Sequence, residues 1–261
     1  MHDLIRALDP LLPLNADSVG LLVLLVTLPF FVVFTWRAQH GRRFGVRRIP
    51  VYERLPLLTN QAAEDGRPLQ VATGSAGLAG PQAAESLAGL VTLDYVARRA
   101  AVWGQPVVGS TADGASLPAA QGLLRQALEQ AGLPEQYPAS ALDYYGPDPL
   151  AYAAGTAQSA ATHGAGATVL LGRFGVEGLW LAEAGVAADR VQVGGTAEPD
   201  AAALLHACLD DAVHGEEVYA VGAYLHRPSH LGSLATQDLL RAGVVIAIVV
   251  GVVLASLGIL G

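Results

Sequence analysis

The chain has 261 residues, 52% of them hydrophobic, and a mean hydropathy of +0.40, which leaves room for one ordinary domain and for membrane segments beside it. Its formal charge is −8, and every basic residue is an arginine; so acidic a chain lacks the basic face that nucleic-acid binding needs, and no nucleic-acid partner is expected. A lone cysteine, Cys208, excludes an internal disulfide and fits a reducing compartment.

Residues 1–17 read as an external N-terminal segment. From Val19 to Trp36 there are eighteen residues without a charge. At about 1.5 Å of rise per residue they can cross a hydrocarbon core of about 30 Å. Residues 18–36 are therefore expected to be a transmembrane helix, bent at Pro29. A cleaved signal peptide is not expected, because no basic region precedes the stretch and no Ala-x-Ala site follows it. Trp36 and a run of arginines follow instead, as an interfacial anchor requires.

That run, in residues 37–48, contains Arg37, Arg42, Arg43, Arg47 and Arg48 and no acid. The positive-inside rule places this side in the cytoplasm, and such clusters also favour contact with anionic lipid headgroups. The expected topology has both termini external and the central domain cytoplasmic. The expected compartment is the inner (cytoplasmic) membrane, with the protein multi-pass.

Residues 49–240 are expected to form the cytoplasmic α/β domain. Between Ile49 and Leu240 there are eight arginines and twenty acids, a charge of −12. After a connector and short helix over 49–66, strand-like and helix-like stretches alternate. The strands are Leu69–Ala72, Gln105–Gly109, Ala141–Tyr145, Ala167–Gly172 and Arg190–Gly194. The helices are Pro81–Trp103, Leu117–Gly132, Tyr152–His163, Val176–Ala184, Asp200–His214 and Glu216–Leu225. Short strands that are apolar on both faces and alternate with helices predict an open, Rossmann-like, mostly parallel sheet of about five strands.

The first strand runs into Thr73-Gly-Ser-Ala-Gly-Leu-Ala-Gly80. Glycines at Gly74, Gly77 and Gly80, with Ser75 between, resemble turns whose amides cradle a phosphate at a helix N-terminus. Asp113 follows the second strand, where dinucleotide-binding folds place a ribose-contacting acid. The spacing is not that of a nucleotide fingerprint, and no Gly-Lys-Ser/Thr is present; tight strand-to-helix connections use such glycines too. The other strand ends carry Ser110, Thr111, Tyr144, Tyr145, Arg173, Gly195 and Thr196, a polar set without a nucleophile–base pairing. His226 and His230 are four apart with Pro228 between them, which spoils a helical metal pair. No catalytic residue, metal site or cofactor is predicted. Cys208 reads as core filler.

Residues 241–261 form the second predicted span, with Ala242–Gly261 uncharged over twenty residues. Gly243, Ala247, Gly251 and Ala255 recur every fourth residue and fall on one helix face, which suits close packing of two backbones in lipid.

Several stretches carry a resemblance: Asp148-Pro-Leu-Ala-Tyr-Ala-Ala-Gly155, Leu181-Ala-Glu-Ala-Gly185, Gly194-Gly-Thr196, Gly215-Glu-Glu-Val-Tyr-Ala220 and Ala223-Tyr-Leu225. With them the chain resembles a family of uncharacterised bacterial two-span membrane proteins catalogued as a domain of unknown function. The resemblance implies architecture and no catalytic residues. The expected function is a membrane-anchored, non-enzymatic assembly or scaffold protein, whose domain self-associates or docks a membrane or cytoplasmic protein partner. The expected partners are the lipid bilayer and further copies of the chain, as a homo-oligomer. The alternative is a membrane-tethered sensor that binds a nucleotide or other small phosphate ligand at Gly74–Gly80.

Overall fold

The computed structural model describes residues 16–40, 47–138, 140–225 and 228–256. The chain divides into two compact units, Arg47–Leu225 and a second made of the flanking stretches.

In the flanking unit, helix α1 (Ala16–Gln39) packs on helix α9 (Pro228–Ser256). Gly232 lies directly against α1. A Cβ there would lie 2.5 Å from the Thr35 Cα, so only glycine fits. Within α9, Leu234–Ser256 is 23 residues with a mean hydropathy of 2.5 and is wholly unburied, long and apolar enough to cross a membrane. It is the one such helix among the described residues. The apolar part of α1, Val23–Gln39, is shorter.

The other unit is an α/β sandwich. In chain order it contains α2 (Pro50–Asp65), β1 (Leu69–Gly74), α3 (Ala83–Val102), β2 (Val107–Thr111), α4 (Ser116–Gln130) and β3 (Leu142–Tyr144). Then come α5 (Pro149–Thr162), β4 (Ala167–Arg173), α6 (Gly178–Ala187), β5 (Val191–Thr196), α7 (Pro199–Cys208) and β6 (Asp211–His214). A 3-10 helix (Gly215–Ala220) and the short α8 (Val221–Tyr224) close it. The strands form one six-stranded sheet in the order β3-β2-β1-β4-β5-β6, and every pairing is parallel.

Both faces are covered, which is why β1 is buried along its whole length and β4 as far as Gly172. α2, α3 and α4 lie on one face, and α5, α6 and α7 on the other. On the second face Leu170, Tyr152, Phe174, Leu181, Ala182 and Leu205 form a closed cluster. On the first, Gly89 lets the backbone of α3 rest on the sheet, where a Cβ would meet the Thr73 and Leu171 carbonyl oxygens at 2.7 Å. A polar row crosses the sheet beneath α5 and α6, because Gln70, Thr168 and Gln192 are in register and buried. The two glutamines donate to the Thr156 and Ala182 carbonyls, each at 2.8 Å.

The parallel sheet is as expected, with two corrections. It has six strands, not about five, because the segment read as one helix from Asp200 to His214 breaks at Cys208. Leu209 is extended there, and Asp210 clasps β5 by accepting from the Gln192 amide at 2.7 Å and donating its own amide to the Gln192 carbonyl at 2.9 Å. That clasp aligns β6 with β5. The stretch Glu216–Leu225, also read as one helix, is instead a 3-10 turn and a four-residue α-helix.

The two ends of this unit meet. Arg47 forms an ion pair with Glu217, and the Tyr224 hydroxyl donates to the Arg47 carbonyl. Tyr52 stacks on Tyr224 at 5.1 Å between ring centres and donates to the Glu217 carbonyl at 2.7 Å. Tyr52 is buried, and burial first, then Glu217 and Tyr224, push its phenol far above the ordinary range.

Candidate functional site

In open parallel sheets a ligand sits beyond the carboxyl ends of the strands, where the strand order reverses. The order β3-β2-β1-β4-β5-β6 puts that point between β1 and β4. The candidate site is therefore the region where the Gly74–Gly80 loop, the end of β4 and the loop from β5 to α7 come together.

The glycines do allow a tight turn. Gly74 has φ +88°, and a Cβ on it would stand 2.5 Å from the Arg173 amide and carbonyl. Gly77 packs on Asp113, where a Cβ would be 3.0 Å from Oδ1, and Gly80 has φ +121° with open space around it. Three amides of the loop are turned to internal acceptors. Gly74 N–H donates to the Tyr152 hydroxyl at 3.0 Å, and Ser75 N–H to the Arg173 carbonyl at 2.8 Å. Leu78 N–H donates to Asp113 Oδ2 at 3.3 Å.

Asp113 also takes the amide and hydroxyl of Ser116, at 2.9 and 2.8 Å, so this carboxylate ties the loop to the start of α4. Burial pushes its carboxyl up, but hydrogen bonds from Ser116, Leu78 and Ala115 outweigh that and hold it below the ordinary aspartate range. Gly74, Ser75, Gly77 and Asp113 thus lie together, bonded to one another or to their neighbours, while Gly80 stands in open space.

The other strand-end residues are engaged similarly. The Thr73 hydroxyl donates to the Ser110 carbonyl at 2.9 Å. Thr196 donates to the Phe174 carbonyl at 2.9 Å and accepts the Phe174 amide at 3.1 Å, closing β4 onto β5. The Arg173 guanidinium binds Glu198 at 2.8 Å, both half-buried. Tyr144 is exposed on the edge strand β3, away from the candidate site.

Sequence reasoning missed three residues. Tyr152, fully buried on α5, places its hydroxyl against Gly74, the Ser110 hydroxyl (3.2 Å) and the Ser110 carbonyl (3.3 Å). Burial pushes its phenol up, so it stays neutral, and Phe174 tilts against it at 6.4 Å. Glu198 was hidden because its partner Arg173 is distant in sequence. Glu85, in the first turn of α3, is only 5% exposed. Its acidic position there would be read simply as complementing the helix dipole.

The remaining expected positions lie elsewhere. Gly243, Ala247, Gly251 and Ala255 all fall within α9. Arg37 is in the last turn of α1, and Arg48 lies 3.8 Å from Glu53. Arg42, Arg43 and His226 lie outside the described residues. Cys208 is half-buried at the end of α7 rather than enclosed, with its sulfur 3.7 Å from Glu183. Burial, then Glu183, raises its thiol above the ordinary range. Among the described residues, no three His, Cys, Asp or Glu side chains cluster as a metal site would need.

No curated protein and no solved structure matches this chain. One family pattern does, and it covers residues 14–260. The chain therefore belongs to the family described as Domain of unknown function (DUF6754).

Proposed function

We propose that this is a membrane-anchored, non-enzymatic assembly protein of the bacterial inner membrane. Two spans hold its α/β domain on the cytoplasmic side, and the chain associates with copies of itself through α9. The observation that carries this reading is the contrast among the glycines of that helix. Gly232 is already used within the chain, pressed against Thr35, whereas a Cβ at Gly243 or Gly251 would find no atom within 4 Å. Bare backbone on an apolar helix suits a second helix packed closely in lipid, where small residues let two backbones meet. The bonds that the Gly74, Ser75 and Leu78 amides make within the fold support a structural role for that loop over the phosphate-sensor reading.

The test is Gly251→Leu in the full chain. Wild type in lipid nanodiscs or mild detergent is expected to run as an oligomer by mass photometry and to crosslink through α9, while the variant shifts toward monomer by at least tenfold in dissociation constant. A monomeric wild type, or a variant that assembles equally well, would remove the proposal.

A further inference from the structure

Glu85 stands in the first turn of α3 with 5% of its surface exposed, and its Oε2 is buried without a hydrogen-bond partner. A carboxylate oxygen shut away from water and from donors is costly to keep charged. Glu85 is also only partly balanced by its surroundings. From the end of β4 comes one cation, Arg173, and it is already bound to Glu198 at 2.8 Å. Glu198, at the start of α7, holds that guanidinium and also lies near enough for its charge to be felt at Glu85. From the 3-10 helix comes Tyr219, whose phenol is pushed up by burial and then by Glu85 and Glu198. Several other charged groups on the elements around α3 have partners of their own. Glu217 and the Tyr224 hydroxyl are held at Arg47, Arg54 pairs with Asp211, and Arg99 donates to Thr59 and Asn60.

We propose that Glu85 is a proton-binding site. It carries a proton while the carboxyl end of the sheet is closed, and losing that proton loosens the junction between the first turn of α3 and the Ala197–Glu198 loop. This goes beyond the assembly reading and is independent of it. Protonated, Glu85 leaves Arg173 to Glu198 alone. Once the proton goes to solvent, the new carboxylate repels Glu198, competes for Arg173 and is drawn toward water, taking the start of α3 with it. Burial and then Glu198 raise its carboxyl above the ordinary glutamate range, while Arg173 and the Ala197 amide only partly oppose them. The folded state therefore holds this proton more tightly than the unfolded chain does. Its contribution to stability is fully present below the unfolded-chain value of about 4.3 and is lost as pH rises through the folded value.

The experiment uses the full chain in lipid nanodiscs, titrated from about pH 4.5 to 8.5. Infrared difference spectra should show a protonated carboxyl that ionises above the ordinary glutamate range and is missing in Glu85→Gln. The thermal midpoint of the α/β unit should fall with rising pH in wild type. Glu85→Gln should flatten that fall and raise the midpoint by a few degrees at the alkaline end. Glu198→Gln frees Arg173 for Glu85 and should move the ionisation to lower pH, so the idea stays exposed even if Glu85→Gln folds poorly. An infrared signal unchanged in Glu85→Gln, or an ionisation that Glu198→Gln does not move, would overturn it.

Discussion

Replacing Gly194 by alanine is expected to leave the α/β unit unfolded. The new Cβ would lie 1.8 Å from the Leu170 carbonyl oxygen, in the centre of the sheet, at a φ of +146° that side chains rarely adopt. The obstructing atom is backbone in a buried strand, so nothing flexible can swing aside. Relief requires β4 and β5 to part, which breaks the ladder between them. Such a loss exceeds about 4 kcal/mol, the range that marks exceptional substitutions, and folded domains have only about 5–15 kcal/mol to lose. The matched control is Gly122→Ala, on an exposed face of α4 with open space around it. It should be neutral or stabilising by up to about 1 kcal/mol, because alanine loses less backbone freedom in a helix. Near-ultraviolet dichroism and denaturant melts of both variants decide the matter. A folded Gly194→Ala protein would mean that β4 and β5 are not paired in this register.

Tyr152 should show the next largest effect, in two steps. Tyr152→Phe keeps the ring but leaves the buried Gly74 amide without its acceptor, which costs about 1–3 kcal/mol. Tyr152→Ala also empties the space between Phe174, Leu170 and Leu181 and should cost about 3–5 kcal/mol. Chemical denaturation of the two variants separates the hydroxyl from the ring. If phenylalanine is tolerated without loss, the Gly74 amide has another acceptor. The loop would then be freer to meet a ligand than its bonding indicates.

The alternation of short apolar strands with helices could be read from the sequence because burial on both faces imposes it. β6 could not be read. Four residues are too few to display a period of two, and its start is set by the Asp210–Gln192 clasp, a contact between distant segments. The Gly74–Gly80 loop was legible as a close turn, but which acceptors its amides face depends on Tyr152, Arg173 and Asp113, each delivered by a different element. Glu85 was illegible for the same reason, since a first-turn glutamate looks alike whether it points to water or into the interior. The stretches that carry the family resemblance are explained largely by packing. Gly155 makes room for the Tyr145 ring and Gly185 for the Gln192 side chain, while Gly194 and Gly195 pass against the carbonyls of β4 and β6. At those glycines the unusual composition is what close approach demands.

The meeting of Arg47 and Tyr52 with Glu217 and Tyr224 has a mechanical consequence. The chain enters and leaves the α/β unit at adjacent points, as a loop of rope does at its knot. Tension applied between those points would be borne first by one ion pair, one stacked ring pair and two tyrosine hydrogen bonds, taken one after another.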